Sequence, residues 1–169
     1  CRIGWFKYRG RILFQFFKLV PDDGVARFPD STVLSCAIAA VDADEQAALE
    51  LGPEAAVIRI RRIRSLGGRP SVLETVSLPA QRFPGLADGP VPNNLYSLFA
   101  TRYGVTIAHA RERLKAVALS AEEARYLGAA AGTPALAIDR IALSLEGSPV
   151  ERRFSLCLTE EAHYLSDLR

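Results

Sequence analysis

The sequence of 169 residues contains no methionine, one tryptophan, two histidines and three cysteines. Each scarcity removes something. A natural chain starts with methionine and rarely avoids it afterwards, so a sequence opening at Cys1 reads as a piece of something longer. Cys1, Cys36 and Cys157 are odd in number and lack metal-ligand spacing, which fits a reduced, cytoplasmic protein. Cys36 and Cys157 fall on expected strands and read as small buried hydrophobes. His109 and His163 stand apart, without the spacing of a metal site or a catalytic triad, and read as structural or solvated. Ser65, Ser71 and Ser77 lack the strand-to-helix turn of a nucleophile elbow. No phosphate-binding glycine loop occurs either, and no cofactor or metal is expected. Nothing reaches the roughly 18 consecutive apolar residues of a membrane helix, nor is there a secretory leader. The net charge of +2 argues against this chain binding nucleic acid by itself.

What is present suits a folded domain. With 49% apolar and 24% charged residues the chain can bury a core, and its length fits one domain with a linker. Residues 1–10 are basic and aromatic and read as a linker or edge segment. Residues 11–20, rich in phenylalanine, read as a central strand, and Pro21-Asp22-Asp23-Gly24 as a turn. A strand is expected over 31–41. Asp42 and Glu45 have capping-box spacing for a helix that runs through Leu51 and stops at Gly52-Pro53. The proline-rich stretch 79–92 reads as a surface connection. Asn93 or Asn94 can cap a helix to about Arg102, with Leu95, Leu98 and Phe99 inside and Gly104 as its stop. A long strand over 105–119 precedes a second capping box, Ser120 with Glu123, whose helix is expected to end near Gly132. Strands over 135–145 and 150–158 follow, and Thr159-Glu160-Glu161 reads as the cap of a short closing helix.

The chain is organised around residues 56–76. Two strand-like runs flank Leu66-Gly67-Gly68-Arg69-Pro70, a β-hairpin signal. Alternation puts Ile58, Ile60, Arg62 and Arg64 on one face, and Val72, Glu74, Val76 and Leu78 share a face of the return strand. An apolar stripe that runs into two arginines admits two readings. Either the arginines are solvated and Arg62 simply pairs with Glu74, or the hairpin floors a pocket where they meet a carboxylate or phosphate.

The pattern repeats. A capping-box helix, a Gly/Pro stop, an arginine-bearing apolar strand, a Gly-x-Pro turn and a return strand occur twice. Aligning Asp42 with Ser120 sets Arg62 on Arg140, with one residue gained before the second turn at Pro149. Two helix-plus-hairpin units imply an α+β fold, an antiparallel sheet with helices packed on it and a cleft between the halves.

One set of residues occurs in a recognisable order. Arg62-Ile63-Arg64, Gly68-Arg69-Pro70, Glu74, Leu78-Pro79 and Phe83-Pro84-Gly85-Leu86 form its first block. Asn94-Leu95-Tyr96, Tyr103-Gly104, Ala110, Glu112, Ala116, Leu127, Gly132-Thr133-Pro134, Arg140 and Gly147-Ser148-Pro149-Val150-Glu151 continue it. From about Ser31 to the C-terminus the chain resembles the UTRA domain of HutC-subfamily regulators within the GntR family. The resemblance implies a chorismate-lyase-like fold without lyase activity. It implies a domain over 31–169 behind a linker and first strand over 1–30, and a winged helix-turn-helix, absent here, that binds operator DNA as part of a homodimer. It further implies a small anionic effector, such as a sugar phosphate or a histidine-breakdown product. By the family pattern the anion meets Arg62, Arg64 and the pair Asn94-x-Tyr96, where asparagine replaces a serine but still donates through its amide. Glu74 and Glu151 match positions that accept from ligand hydroxyl or amine groups. Arg102 is a further candidate, although arginine at a helix C-terminus also serves the helix dipole. Leu156-Cys157-Leu158-Thr159 departs from the family's aromatic and arginine residues and implies a less polar pocket wall. The alternative to a sensor is a chorismate-lyase-like enzyme, with the arginines holding a carboxylated substrate and Glu74 or Glu151 as the acid.

Overall fold

The structure is a computed structural model that describes residues 17–25 and 27–166. Among these the order is β1 (Leu19–Pro21), β2 (Asp30–Ala40), α1 (Ala43–Leu49), β3 (Ala56–Leu66), β4 (Arg69–Pro79), α2 (Leu95–Tyr103), β5 (Ile107–Ala118), α3 (Ala121–Leu127), β6 (Pro134–Ser144), β7 (Pro149–Leu158) and β8 (Ala162–Tyr164). Strands β2 to β7 form one antiparallel sheet in the order β2-β3-β4-β7-β6-β5. The two copies of the repeat therefore lie side by side and join at β4–β7. Their hairpins even share an irregularity. The β3–β4 register shifts after Arg64, and the β6–β7 register shifts after Ala142, the equivalent position. A bulge at such a place re-aims the strand beside a site.

Cross-strand partners share a face of the sheet. On one face Leu73, Ala135, Ala137 and Leu156 pack with Leu119, Ala124 and Leu127 around α3, while Val57 packs with Leu49 of α1 and with Val41 just before that helix. Both short helices carry the expected capping boxes. Asp42 Oδ1 accepts from Glu45 N at 2.8 Å, and Ser120 Oγ from Glu123 N at 3.3 Å. On the other face Ile58, Ile60, Val76 and Leu78 pack against Phe83, Leu86, Leu95 and Phe99. Farther along that face Val72, Ile138 and Cys157 pack against Leu19 and Ala162 of the separate β1–β8 ribbon.

Four expectations are corrected. The part of the 11–20 segment that is described forms only the short β1, paired with β8 rather than central; its earlier residues, like the linker over 1–10, lie outside the described ones. The stretch 79–92 is not merely a surface connection: Phe83 and Leu86 are buried and complete the core that α2 closes. The helix after Ser120 stops at Leu127 because Gly128 takes the left-handed conformation (φ 64°) well before Gly132. Residues 162–164 form β8 instead of a helix, since pairing with β1 satisfies the backbone there.

Candidate functional site

Between the two apolar clusters of one sheet face lies a cluster of charges. Arg62 and Glu74 are direct cross-strand partners on β3 and β4, and Arg64 follows Arg62 on the same face. All three are essentially enclosed, at 1%, 2% and 3% exposure for Arg62, Glu74 and Arg64. The solvated reading of the arginines is thereby set aside. Arg62 Nε donates to Glu74 Oε1, and its Nη1 reaches the Asn93 carbonyl at 3.3 Å. Arg64 Nη1 lies 3.5 Å from Glu74 Oε1, and its Nη2 donates to Asn93 Oδ1 at 3.2 Å and to the Pro29 carbonyl at 3.3 Å.

The second copy adds its own charges. Arg153 on β7 approaches Glu74 Oε2 at 3.6 Å and holds Glu151 through a two-bond fork, Nε to Oε1 at 3.1 Å and Nη2 to Oε2 at 2.8 Å. The Tyr96 hydroxyl donates to the same Glu151 at 2.8 Å, and the Tyr96 ring lies 5.3 Å from the Arg153 guanidinium. Arg140 on β6 pairs with Glu112 of β5, which also accepts from the Tyr164 hydroxyl of β8.

These contacts set the protonation states. Burial by itself would raise the Glu74 carboxyl, but Arg153, Arg62 and Arg64 outweigh it and hold the group down to about 2. Burial lowers the Arg64 guanidinium to about 10, with Glu74 opposing that shift. Burial and the neighbouring Glu151 push the Tyr96 hydroxyl up. At neutral pH Glu74 and the arginines around it are charged, with Tyr96 as a neutral donor.

The arginines open on a cavity of about 200 Å³. Its wall includes Arg62, Arg64, Arg140, Arg153, Asn94 and Tyr96, together with Phe17, Phe28, Leu95 and Ile107. Asn94 caps α2, accepting from Ser97 N at 3.1 Å, so the helix N-terminus faces the same space. The expected site residues thus divide. Arg62, Arg64, Asn94 and Tyr96 line the cavity. Glu74 and Glu151 stand behind the arginines, their oxygens taken by Arg62, Arg64, Arg153 and Tyr96. Arg102 is exposed on α2, its guanidinium 5.2 Å from the Tyr103 ring, and takes no part in the cavity wall. The expected wall at 156–159 is corrected as well. Leu156 packs beneath α3, and Cys157 joins the cluster under β1 and β8. Sequence reasoning missed Arg153 as a site residue and used Arg140 only as a mark of the repeat. The offset between the return strands that carries Pro70 to Pro149 also carries Glu74 to Arg153, so the signal was present.

An arginine-lined cavity on one face of an antiparallel sheet, with short helices on the other, defines the class, an α+β domain with a charged cavity. The chain belongs to the UTRA domain family, whose sequence model matches residues 26–163. It is similar to the HTH-type transcriptional repressor PhnF of Mycolicibacterium smegmatis, 33% identical over 117 residues that cover 68% of this chain and 48% of that protein. It is also similar to the HTH-type transcriptional regulator Rv0792c of Mycobacterium tuberculosis, 33% identical over 103 residues, 56% of this chain and 37% of that one. The chain thus spans about half or less of the length of these curated relatives. Among solved structures, a Bordetella bronchiseptica chain described as the ligand-binding domain of a GntR-family transcriptional regulator superposes with a TM-score of 0.83. It is 35% identical, with 97% of this chain and 100% of that one covered. The effector domain of PhnF superposes at 0.77 with 24% identity over 83% of this chain and 87% of that one, a likeness of fold.

Proposed function

We propose that the cavity binds a small anionic effector and that this occupancy governs DNA binding by a winged helix-turn-helix elsewhere in a homodimeric regulator. The observation that carries the reading is the enclosure of Arg62, Arg64 and Arg153 around a single carboxylate, Glu74, beside an open cavity. Guanidinium groups are seldom buried unless anions meet them. Arg62, Arg64, Asn94 and Tyr96 form the contact surface, and Glu74 and Glu151 hold the arginines in place. Arg102, away from the cavity, contributes at most a long-range charge. The relatives are named as transcription regulators, which supports a sensor rather than an enzyme. Effector binding would bias two arrangements of the full-length protein by its differential affinity for them.

A thermal-shift screen of phosphorylated sugars and small carboxylates identifies the binder, and calorimetry then measures the variants. Arg62→Ala and Arg64→Ala are expected to lose roughly 2 kcal/mol or more of binding, as a buried charge-assisted contact should. Unchanged affinity in both folded variants would remove the assignment.

A further inference from the structure

The anion-sensor reading leaves the ligand's charge and chemistry open, and the cluster itself constrains both. The charged residues of the cavity wall are Arg62, Arg64, Arg140 and Arg153. Their acidic neighbours are Glu74, Glu112 and Glu151. Among the described residues four positive charges against three negative leave a formal surplus of one. The interactions run through the whole set, from Arg62 and Arg64 by way of Glu74 to Arg153, and on through Glu151 to Arg140. The surplus is therefore shared by the cluster.

An uncompensated charge among buried side chains is costly. One negative charge in the cavity balances the formal charge of the cluster, whereas two leave an excess of the opposite sign beside Glu74 and Glu151 that the partial positive charge of the α2 N-terminus offsets only in part. A carboxylate carries one charge. A phosphate monoester carries roughly 1.5 to 2 at neutral pH.

The remaining wall points the same way. Phe17, Phe28, Leu95, Ala100 and Ile107 give the cavity an apolar side. Three of its four neutral polar residues are already engaged, Asn93 with Arg64 and the Pro29 carbonyl, Asn94 with Ser97 N and Tyr96 with Glu151, which reduces what the wall offers the hydroxyls of a sugar. Arg64 supplies a docking edge: its Nε is buried and has no hydrogen-bond partner among the described residues. The same guanidinium lies 5.5 Å from the Phe17 ring centre and 5.8 Å from that of Phe28. A carboxylate that meets this edge in the guanidinium plane leaves its apolar body beside both rings. The cavity, about 200 Å³, has room for a single small ring and its acid group.

We infer that the cavity selects a small aromatic or apolar monocarboxylate over phosphate esters of similar size. The preference arises because one negative charge neutralises the seven-residue cluster.

The test uses three probes that share a ring and differ in charge: benzoate, phenyl phosphate and benzamide. Calorimetry on the chain at pH 7.5 is expected to show benzoate binding at least about tenfold tighter than phenyl phosphate, with benzamide weakest. Near pH 5, below the second phosphate pKa of about 6, phenyl phosphate becomes chiefly a monoanion and its deficit should shrink. Among the groups facing the arginines, Glu74 titrates far below this pH and Tyr96 far above it. Benzoate run in parallel is the reference at both pH values. Phenyl phosphate binding tighter than benzoate at pH 7.5 would overturn the charge match yet keep an anion site. Benzamide binding as well as benzoate would overturn both this inference and the anion-sensor reading. If none of the three binds while a sugar phosphate does, the monocarboxylate assignment fails and the sensor reading stands.

Discussion

Glu74 is the smallest unit on which the site depends. One carboxylate faces three guanidiniums in a space closed to water, so its charge is worth more folded than unfolded. Its pKa falls from an ordinary 4.5 to about 2, and the stability this represents is fully present above pH 4.5 and lost as pH falls toward 2. The shift corresponds to about 3 kcal/mol. Urea denaturation at pH 7 and at pH 3 should show a marked loss at the lower pH, with Glu45, also held below its ordinary range, adding to it. Glu74→Gln should destabilise the protein by about 3–5 kcal/mol at pH 7 and flatten the acid side of the profile, because it leaves buried arginines unmatched. A retained acid slope in a folded Glu74→Gln protein would assign that slope elsewhere. Arg62, Arg64 and Glu74 were legible as a group because alternation alone placed them on an apolar face. Asn93, whose side chain accepts from Arg64, was not, since nothing local distinguishes it from Asn94 until the helix start is fixed.

At the scale of elements, hairpin and cap chemistry was the most readable part. Gly67-Gly68 and both capping boxes name their structures through local rules that tertiary packing did not override. Less readable were stretches whose form depends on a distant partner. Phe83 and Leu86 are core only because α2 folds over them, and β8 is a strand only because β1 lies beside it. α1 is a further case, anchored by more than its cap: Glu45 also accepts from Arg59 Nη2 at 2.6 Å and from Ser77 Oγ at 2.6 Å. Asp42→Ala should therefore cost about 1 kcal/mol in chemical denaturation, as ordinary cap losses do. Glu45→Ala should cost visibly more, because it strands partners on two strands as well. Equal losses would reduce Glu45 to a capping role. The Arg62–Glu74 pair also fixes how β3 meets β4. A slip of two residues would set Arg62 against Val72 or Val76 and leave its charge among hydrocarbons.

For the whole molecule, the duplication seen in the sequence is the plan of the sheet, and the two copies meet at β4–β7. Arg62 and Arg64 come from the first copy, and Arg140 and Arg153 from the second. Any binder that touches all four must stabilise the folded chain as a unit. At a hundred times its dissociation constant the gain is about 2.7 kcal/mol, which in a domain of this size raises the melting temperature by several degrees. Calorimetric scans should show a single transition moving upward with the bound probe, rather than one half becoming sturdier alone. Sedimentation of the chain, with and without that probe, checks the proposed homodimer. The seam between the copies has a further consequence: an occupant there acts as a rivet through two plates. Prising β4 from β7 would take half of its fastening away, so departure of the guest and parting of the halves become one event.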